Sequence, residues 1–159
     1  MPTRAQTSID SELAPRLRLA ITRTARRMRQ EAGSDLGPSQ TVSLATIERH
    51  GPLSPSELAD RERIKRPTAT RILAHLEGAG LVERVRDPDD GRGSILSITA
   101  EGRALLRRLR ARKTAYLAHH LSQLHPDDAA ALSRAADVLE HMLEEHPTAE
   151  LRAPVGGSE

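Results

Sequence analysis

The chain is almost free of aromatic residues, and this restricts the folds open to it. Its 159 residues include no Phe, no Trp and a single Tyr, Tyr116. The core must therefore be built from Leu, Ile, Val, Ala and Met. Leu and Ala are good helix formers, whereas aromatic and β-branched residues are enriched in strands. The composition predicts a mainly helical, α+β protein and argues against an all-β fold.

Three further features narrow the class of protein. The absence of Cys excludes disulfides, thiolate metal sites and thiol redox sensing. No apolar run approaches the roughly 20 residues needed to span a bilayer. The N-terminal segment MPTRAQTSID lacks the apolar stretch of a secretory signal. We therefore expect a cytoplasmic protein of one domain, or of one compact domain plus an extension.

Apolar periodicity and capping signals predict four helices in the first half of the chain. The first should run from about Asp10 to Glu31, and Pro38 suits the first turn of the second. The segment SPSE at 54–57 combines an N-cap, a proline at the first helical position and a capping-box glutamate. Pro67 likewise suits the first position of a fourth helix, whose apolar residues follow at i, i+3, i+4 and i+7. These apolar residues are Ala69, Ile72, Leu73 and Leu76.

A β-hairpin and two long helices follow. Residues 82–86 and 94–99 are expected to form the strands, and Leu53 can add one rung to their sheet. Thr99 suits the cap of a fifth helix, and a sixth should end near His146. Two short helices joined by a tight turn and followed by a hairpin form a winged helix-turn-helix pattern.

The fourth helix carries the side chains of a DNA reader at its N-terminal end. Threonine hydroxyls bond phosphates or bases, and arginine bonds guanine bidentately or holds a phosphate. The helix N-terminus itself favours a phosphate. The alternative is the solvated face of an ordinary amphipathic helix. The candidate DNA-binding residues here are Arg66, Pro67, Thr68, Thr70 and Arg71.

The loop RDPDDGRG between the strands combines aspartates with arginine. Arg92 is the candidate for insertion into a minor groove, where the negative potential attracts arginine. Asp90 is expected to orient Arg92 through a charge-assisted bond. Arg84 and Arg86, on one face of the first strand, can contact the flanking phosphates. The alternative is a surface loop that only increases solubility. Solubility is also the only role found for Asp89.

The segment from Gly51 to Leu106 resembles the MarR family of bacterial transcriptional regulators. Its most specific part is LVER…DPDDGR…SIT.EGR, in which Asp90 and Arg92 stand at places typical of the family's wing. Gly91 occupies a position that relatives often fill with arginine. The resemblance implies a homodimeric, ligand-responsive repressor that reads a palindromic operator with its fourth helix in the major groove and its wing in the minor groove.

The resemblance also implies a small anionic aromatic ligand, bound between the DNA-binding and dimerisation regions. No local motif marks that pocket, and Tyr116, Arg16 and His50 are its candidate lining residues. The resulting division of the chain is a disordered N-terminus (1–8), a dimerisation helix (9–36), a winged helix-turn-helix domain (37–100), dimerisation helices (101–146) and a disordered tail (147–159).

Other classes of function find less support in the sequence. There is no GxSxG elbow and no glycine-rich loop that cradles phosphates, so we expect no enzyme activity and no cofactor. His141 and Glu145 form one i, i+4 pair, too little to predict a metal site. The remaining alternative is a winged-helix module that binds protein and no nucleic acid, because a fold alone does not fix a function.

Overall fold

The computed structural model describes residues 4–86 and 94–145, which contain six helices and two strands. The chain divides into two compact units after Leu117. Among the described residues no helix is long and apolar enough to cross a membrane. In chain order the elements are α1 (Arg4–Ala32), α2 (Pro38–His50), α3 (Pro55–Glu62), α4 (Arg66–Gly78), β1 (Val82–Arg86), β2 (Ser94–Ile98), α5 (Ala100–Leu121) and α6 (Pro126–Glu145).

The core of the first unit is aliphatic, as the composition predicts. It forms where the apolar face of α4 meets α2, α3 and the hairpin. Close packing of such side chains supplies most of the stability of a small domain, at about 25 cal/mol per Å² of apolar surface removed from water. The most deeply buried of these residues are Leu44, Ile47, Leu53, Leu58, Ala69, Leu73, Leu76 and Leu96.

The hairpin forms the wing of the fold, and a third segment joins it. β1 and β2 pair antiparallel, from Val82 opposite Ile98 to Arg86 opposite Ser94. The predicted rung at Leu53 is confirmed, because its N–H donates to the carbonyl of Leu96 at 3.0 Å and the reverse bond measures 2.9 Å. The segment between α2 and α3 is thereby tied to the hairpin.

The start of α3 confirms the predicted capping box. The Ser54 hydroxyl accepts a bond from the Glu57 N–H at 3.2 Å, and the Glu57 carboxylate accepts one from the Ser54 N–H at 2.7 Å. α2 begins at Pro38 as predicted. α4 begins one residue earlier than predicted, at Arg66, so that Pro67 takes the second helical position. That position also lacks an intrahelical partner for the N–H, so a proline costs little there.

α1 is longer than the sequence predicts. It begins at Arg4, so the expectation of disorder over residues 1–8 is wrong for residues 4–8, while residues 1–3 lie outside the described part of the chain. Pro15 lies inside the helix and removes one main-chain donor. The helix nevertheless continues through this exposed residue to Ala32. The predicted disordered tail, 147–159, also lies outside the described residues.

Polar contacts tie α5 to the rest of the first unit. The Thr99 hydroxyl caps the helix by accepting from the Gly102 N–H at 3.1 Å, as predicted, and it donates to the Gly80 carbonyl at 2.8 Å. Further along, Arg112 donates to the carbonyls of Ala32 at 2.8 Å and Gly33 at 3.2 Å. These carbonyls end α1 and would otherwise lack partners. α5 therefore holds both the wing and the end of α1.

The second unit consists of the end of α5, a short turn and α6. The Ser122 hydroxyl donates to the carbonyl of His119 at 2.8 Å, and the His125 and Asp127 side chains lie 3.4 Å apart at the start of α6. Two acidic residues, Asp127 and Asp128, lie in the first turn of α6, where the helix dipole favours them. The turn thus has local contacts that specify where α6 begins.

Gly102 offers a test of this packing. A Cβ atom at this residue would lie 2.3 Å from the carbonyl oxygen of Leu81 and 2.8 Å from Cγ1 of Ile98. We predict that Gly102→Ala lowers the free energy of unfolding by roughly 1–3 kcal/mol, because α5 must move away from the wing. Urea unfolding at one fixed protein concentration measures the loss.

Gly78→Ala is the matched control, since nothing lies within 4 Å of a Cβ placed there. It should be neutral or stabilising by up to roughly 1 kcal/mol, as alanine is favoured over glycine in a helix. Equal stabilities for the two variants would contradict the close approach of α5 to Leu81.

Candidate nucleic-acid interface

The turn between α3 and α4 sets the direction in which α4 leaves the core. Arg63 ends α3 in the left-handed conformation, with φ 53°, and the Ile64 N–H donates to the Ala59 carbonyl at 3.0 Å. Ile64 then packs against the core. The tight turn brings α4 across α3, as in a helix-turn-helix motif.

α4 has one buried face and one exposed face. Ala69, Leu73 and Leu76 are at most 1% exposed, and Ile72 is 7% exposed. The opposite face carries the predicted DNA-binding residues, and all of them are exposed except Thr68, which is half-buried. Lys65, the residue at the N-cap, makes no side-chain capping bond, so the positive end of the helix dipole faces solvent. The exposed residues of the set are Arg66, Pro67, Thr70 and Arg71.

A groove lies between the first turn of α2 and the exposed face of α4. It adds residues to the site that were not predicted from the sequence. It has a volume of about 410 Å³, and we call it the α2–α4 groove. Ser39 at the start of α2 and His75, one turn after Arg71, lie along it. The i, i+4 spacing of Arg71 and His75 was visible in the sequence, but the approach of Ser39 depends on tertiary packing. The complete lining is Gly37, Pro38, Ser39, Gln40, Thr68, Arg71, Ile72 and His75.

The two arginines of β1 lie on one face of the hairpin, as predicted, but in different surroundings. The Nε atom of Arg84 donates to Oε1 of Glu77 at 2.9 Å, which links β1 to the end of α4. Arg86 lies further along the strand, opposite Ser94, and is exposed. The two other predicted wing residues, Asp90 and Arg92, lie outside the described residues.

A second cavity lies beside the end of α1 and has a basic lining. Its volume is about 340 Å³, and Arg26, Arg29 and Lys113 contribute positive charges to it. We call it the basic cavity. Leu36 and Leu109 give it apolar surface, so an anion with an apolar body would fit its chemistry. Its other lining residues are Gln30, Ala32, Ser34, Pro38 and Thr41.

The residues suggested from sequence for a ligand pocket do not line the basic cavity. Arg16, His50 and Tyr116 are absent from its lining. Apolar spacing could not identify the lining because it comes from α1, α2, α5 and the loop between α1 and α2. Within residues 4–86 and 94–145 there is no group of three His, Asp or Glu side chains placed to hold a metal ion.

Large apolar side chains lie exposed on α1 and α6. On α1 their exposed fractions reach 50% at Leu13 and 47% at Ile21. On α6 no side chain from Pro126 to Glu144 is buried, although Leu132 and Met142 are apolar and about half exposed. Exposed apolar patches of this kind mark interaction surfaces. The remaining members are Leu17, Leu19, Val138 and Leu143.

Comparison with known proteins agrees with this geometry. The model of the MarR family matches residues 36–94. An uncharacterised HTH-type transcriptional regulator of Mycobacterium leprae is 34% identical over 139 residues, which cover 87% of this chain and 97% of that protein. The HTH-type transcriptional repressor MdtR of Bacillus subtilis is 32% identical over 107 residues, covering 63% of this chain and 69% of MdtR.

A solved structure shows the same fold. A protein of Pseudomonas aeruginosa, described as a transcriptional regulator, superposes with a TM-score of 0.76 and is 33% identical in sequence. The match covers 89% of this chain and 97% of that chain. The winged-helix architecture predicted from sequence is therefore confirmed.

Proposed function

Since the chain belongs to the MarR family of DNA-binding transcriptional regulators, we propose that it acts in the cytoplasm as a homodimeric repressor of a palindromic operator. The observation that carries the proposal is the division of α4 into two faces. One face is buried in the core, and the other presents Arg66, Thr70 and Arg71 to solvent. The relative MdtR is named a transcriptional repressor, which supports repression over activation.

In this proposal α4 enters the major groove. Arg71 lies in the second turn of the helix and can bond a guanine edge bidentately, while Arg66 and the helix N-terminus hold a phosphate. Thr70 supplies a hydroxyl for a base or phosphate and a methyl for thymine. The α2–α4 groove extends this face, and Ser39 and His75 add polar atoms beside the same strand of DNA.

The wing completes the interface through the minor groove. Arg86 is exposed and follows the core-facing part of the hairpin, a position suited to a flanking phosphate. Arg92 is proposed as the residue that enters the minor groove, and Asp90 as the residue that orients it. For these two residues the proposal rests on the sequence of the loop.

Features of both the protein and its target support the proposed dimer. α6 has no fully buried side chain between Pro126 and Glu144, so most of its apolar residues gain little stabilisation from burial within the described chain. Leu132, Met142 and the apolar residues of α1 would gain that burial against a second copy. A single recognition helix also buries too little surface for tight specific binding, whereas two copies on a palindrome supply more.

A small anionic aromatic ligand is proposed for the basic cavity. Arg26, Arg29 and Lys113 offer charge-assisted bonds to a carboxylate, and Leu109 offers apolar surface to a ring. Pro38 borders both this cavity and the α2–α4 groove. A ligand that favours another position of α2 would therefore disturb the surface that contacts DNA and release the operator.

The alternative of a winged-helix module without DNA binding loses its main support. It rested on the point that a fold alone does not fix a function, and family membership favours nucleic acid. The exposed face of α4 carries arginines and no acidic residue between Arg66 and His75.

Selection from random DNA tests the proposal directly. We expect the purified protein to enrich duplexes that carry an inverted repeat, with half-sites about one helical turn, or roughly 34 Å, apart. Sedimentation of the enriched complex should give two chains per duplex. Enrichment of a single unrepeated site would contradict the dimer, and no enrichment at any salt concentration would contradict the function.

Substitutions in the loop distinguish an orienting role of Asp90 from simple electrostatic repulsion of DNA, because the two models predict opposite changes in affinity. Arg92→Ala should weaken binding to the enriched duplex by roughly 1–3 kcal/mol. Asp90→Ala should also weaken it, because Arg92 loses its orienting partner, even though the removal of a negative charge near DNA should by itself strengthen binding.

Asp89→Ala is the matched control, as it removes an aspartate from the same loop and should leave affinity unchanged or higher. Fluorescence anisotropy at one fixed salt concentration compares the three variants. Tighter binding by Asp90→Ala would show that Asp90 does not orient Arg92.

The ligand proposal can be tested on the free protein, with benzoate as the probe. The chain has two lysines, Lys65 and Lys113, and only Lys113 lines the basic cavity. Lys113→Met should lower benzoate affinity roughly tenfold, the effect of losing one bond to a charged group. Lys65→Met should leave it unchanged, and calorimetry measures both. Equal affinities in the two variants would place any benzoate site elsewhere.

A further inference from the structure

Arg84 occupies a position that an apolar residue would be expected to fill. Alternate residues of a strand share a face, so Arg84 lies on the same side of the hairpin as Val82, which is 2% exposed. Its cross-strand partner is Leu96, which is fully buried. The Arg84 side chain therefore begins on the side of the hairpin that holds the core.

The hydrogen-bond pattern brings Arg84 close to Leu96. The N–H and carbonyl of one strand residue point to the same side, and those of Leu96 are both bonded to Leu53. Arg84 and Leu96 therefore form a non-hydrogen-bonded pair, the kind in which opposite side chains are closer together. The aliphatic part of Arg84 covers the edge of the core, and its guanidinium group can extend beyond it.

The guanidinium group extends to Glu77, in the last turn of α4. The distance from Nε to Oε1 is 2.9 Å, and the side chains are 53% and 34% exposed. Between the two residues the chain reverses direction at Gly80, which has a positive φ of 68°. The Glu77–Arg84 pair thus spans the turn that joins the recognition helix to the wing.

We infer that the Glu77–Arg84 pair fixes the angle between α4 and the wing, so that Arg84 is a positioning residue while Arg86 contacts the phosphate. The inference rests on the proposed DNA-binding function. α4 and the wing must enter neighbouring grooves of one duplex together. A pair that holds them at that angle before binding reduces the conformational freedom lost on binding. It revises the expectation that both arginines contact phosphates.

The direction in which one substitution changes DNA affinity tests the inference. Glu77→Ala removes a negative charge from the DNA-binding region, and a purely electrostatic model predicts tighter binding. Loss of positioning predicts the opposite, a decrease of roughly two- to fivefold in affinity, the range of an exposed ion pair. Arg84→Ala should give the same decrease, and the double variant should lose no more than either single variant.

The salt dependence of binding separates positioning from phosphate contact. The slope of log affinity against log salt should fall by about one in Arg86→Ala, because one phosphate contact is lost. It should stay unchanged in Glu77→Ala and Arg84→Ala. The charge-reversed protein, Glu77→Arg with Arg84→Glu, should recover the affinity of the original chain. The original chain and all of these variants are titrated against a fluorescent duplex that carries the enriched site.

Two results would overturn the inference: tighter or unchanged binding by Glu77→Ala, or a slope for Arg84→Ala that falls as it does for Arg86→Ala. A measurement on the DNA-free protein tests the inference independently of the proposed function. Amide hydrogen exchange over residues 82–86 of the free protein should be faster in both single variants and slow again in the charge-reversed one. If the original chain enriches no duplex, the proposed function fails, and unchanged exchange rates would then reject the pair.

Discussion

The DNA-binding core depends on Leu96, whose main chain and side chain hold different parts of the fold. Its N–H and carbonyl bond Leu53, its strand pairs with β1, and its side chain is fully buried. Leu53 lies between α2 and α3, so its pairing with Leu96 joins the helix-turn-helix to the wing. A shift of one residue in the hairpin register would turn Leu96 towards solvent. The core therefore fixes the register of the wing.

Local sequence signals predicted those features that depend on neighbouring residues. Ser54, Glu57 and Thr99 make the capping bonds expected of them, because a cap and its partners lie within three residues. The two faces of α4 likewise follow from spacing alone. The errors arose where local rules allow several outcomes. α1 begins at Arg4 and not near Asp10, since several residues before Asp10 are compatible with a helix.

The parts that could not be predicted all involve distant residues. Arg112 bonds carbonyls about eighty positions earlier in the chain, and nothing in either segment indicates the other. The basic cavity and the α2–α4 groove are lined from several elements. Alternation predicted that Arg84 shares a face of β1 with Arg86, but its partner Glu77 belongs to another element. Periodicity identifies the face on which a side chain lies, whereas its contacts depend on the packing of elements.

The first turn of α2 connects these unpredicted features. Pro38 borders the basic cavity and the α2–α4 groove, and Thr41 lines the basic cavity. A ligand changes DNA affinity only if the two bind different conformations with different strength. Under the proposed ligand response, a movement of α2 would meet that condition, because its first turn lines both spaces. The bond from Arg112 holds the end of α1, which lines the basic cavity, in place. Ligand response and DNA recognition would then share a single moving element.

The distribution of charge along the chain says more about DNA binding than the net charge does. The net charge is only +2, yet basic residues are concentrated in α1, in residues 61–71 and in α5, and acidic residues in α6. DNA phosphates are attracted to the exposed arginines of α4 and repelled by Asp137, Glu140 and Glu144 of α6. Local charge acts on nearby phosphates more strongly than the net charge of the whole chain does. A chain of nearly neutral net charge can therefore still attract DNA to its recognition helix.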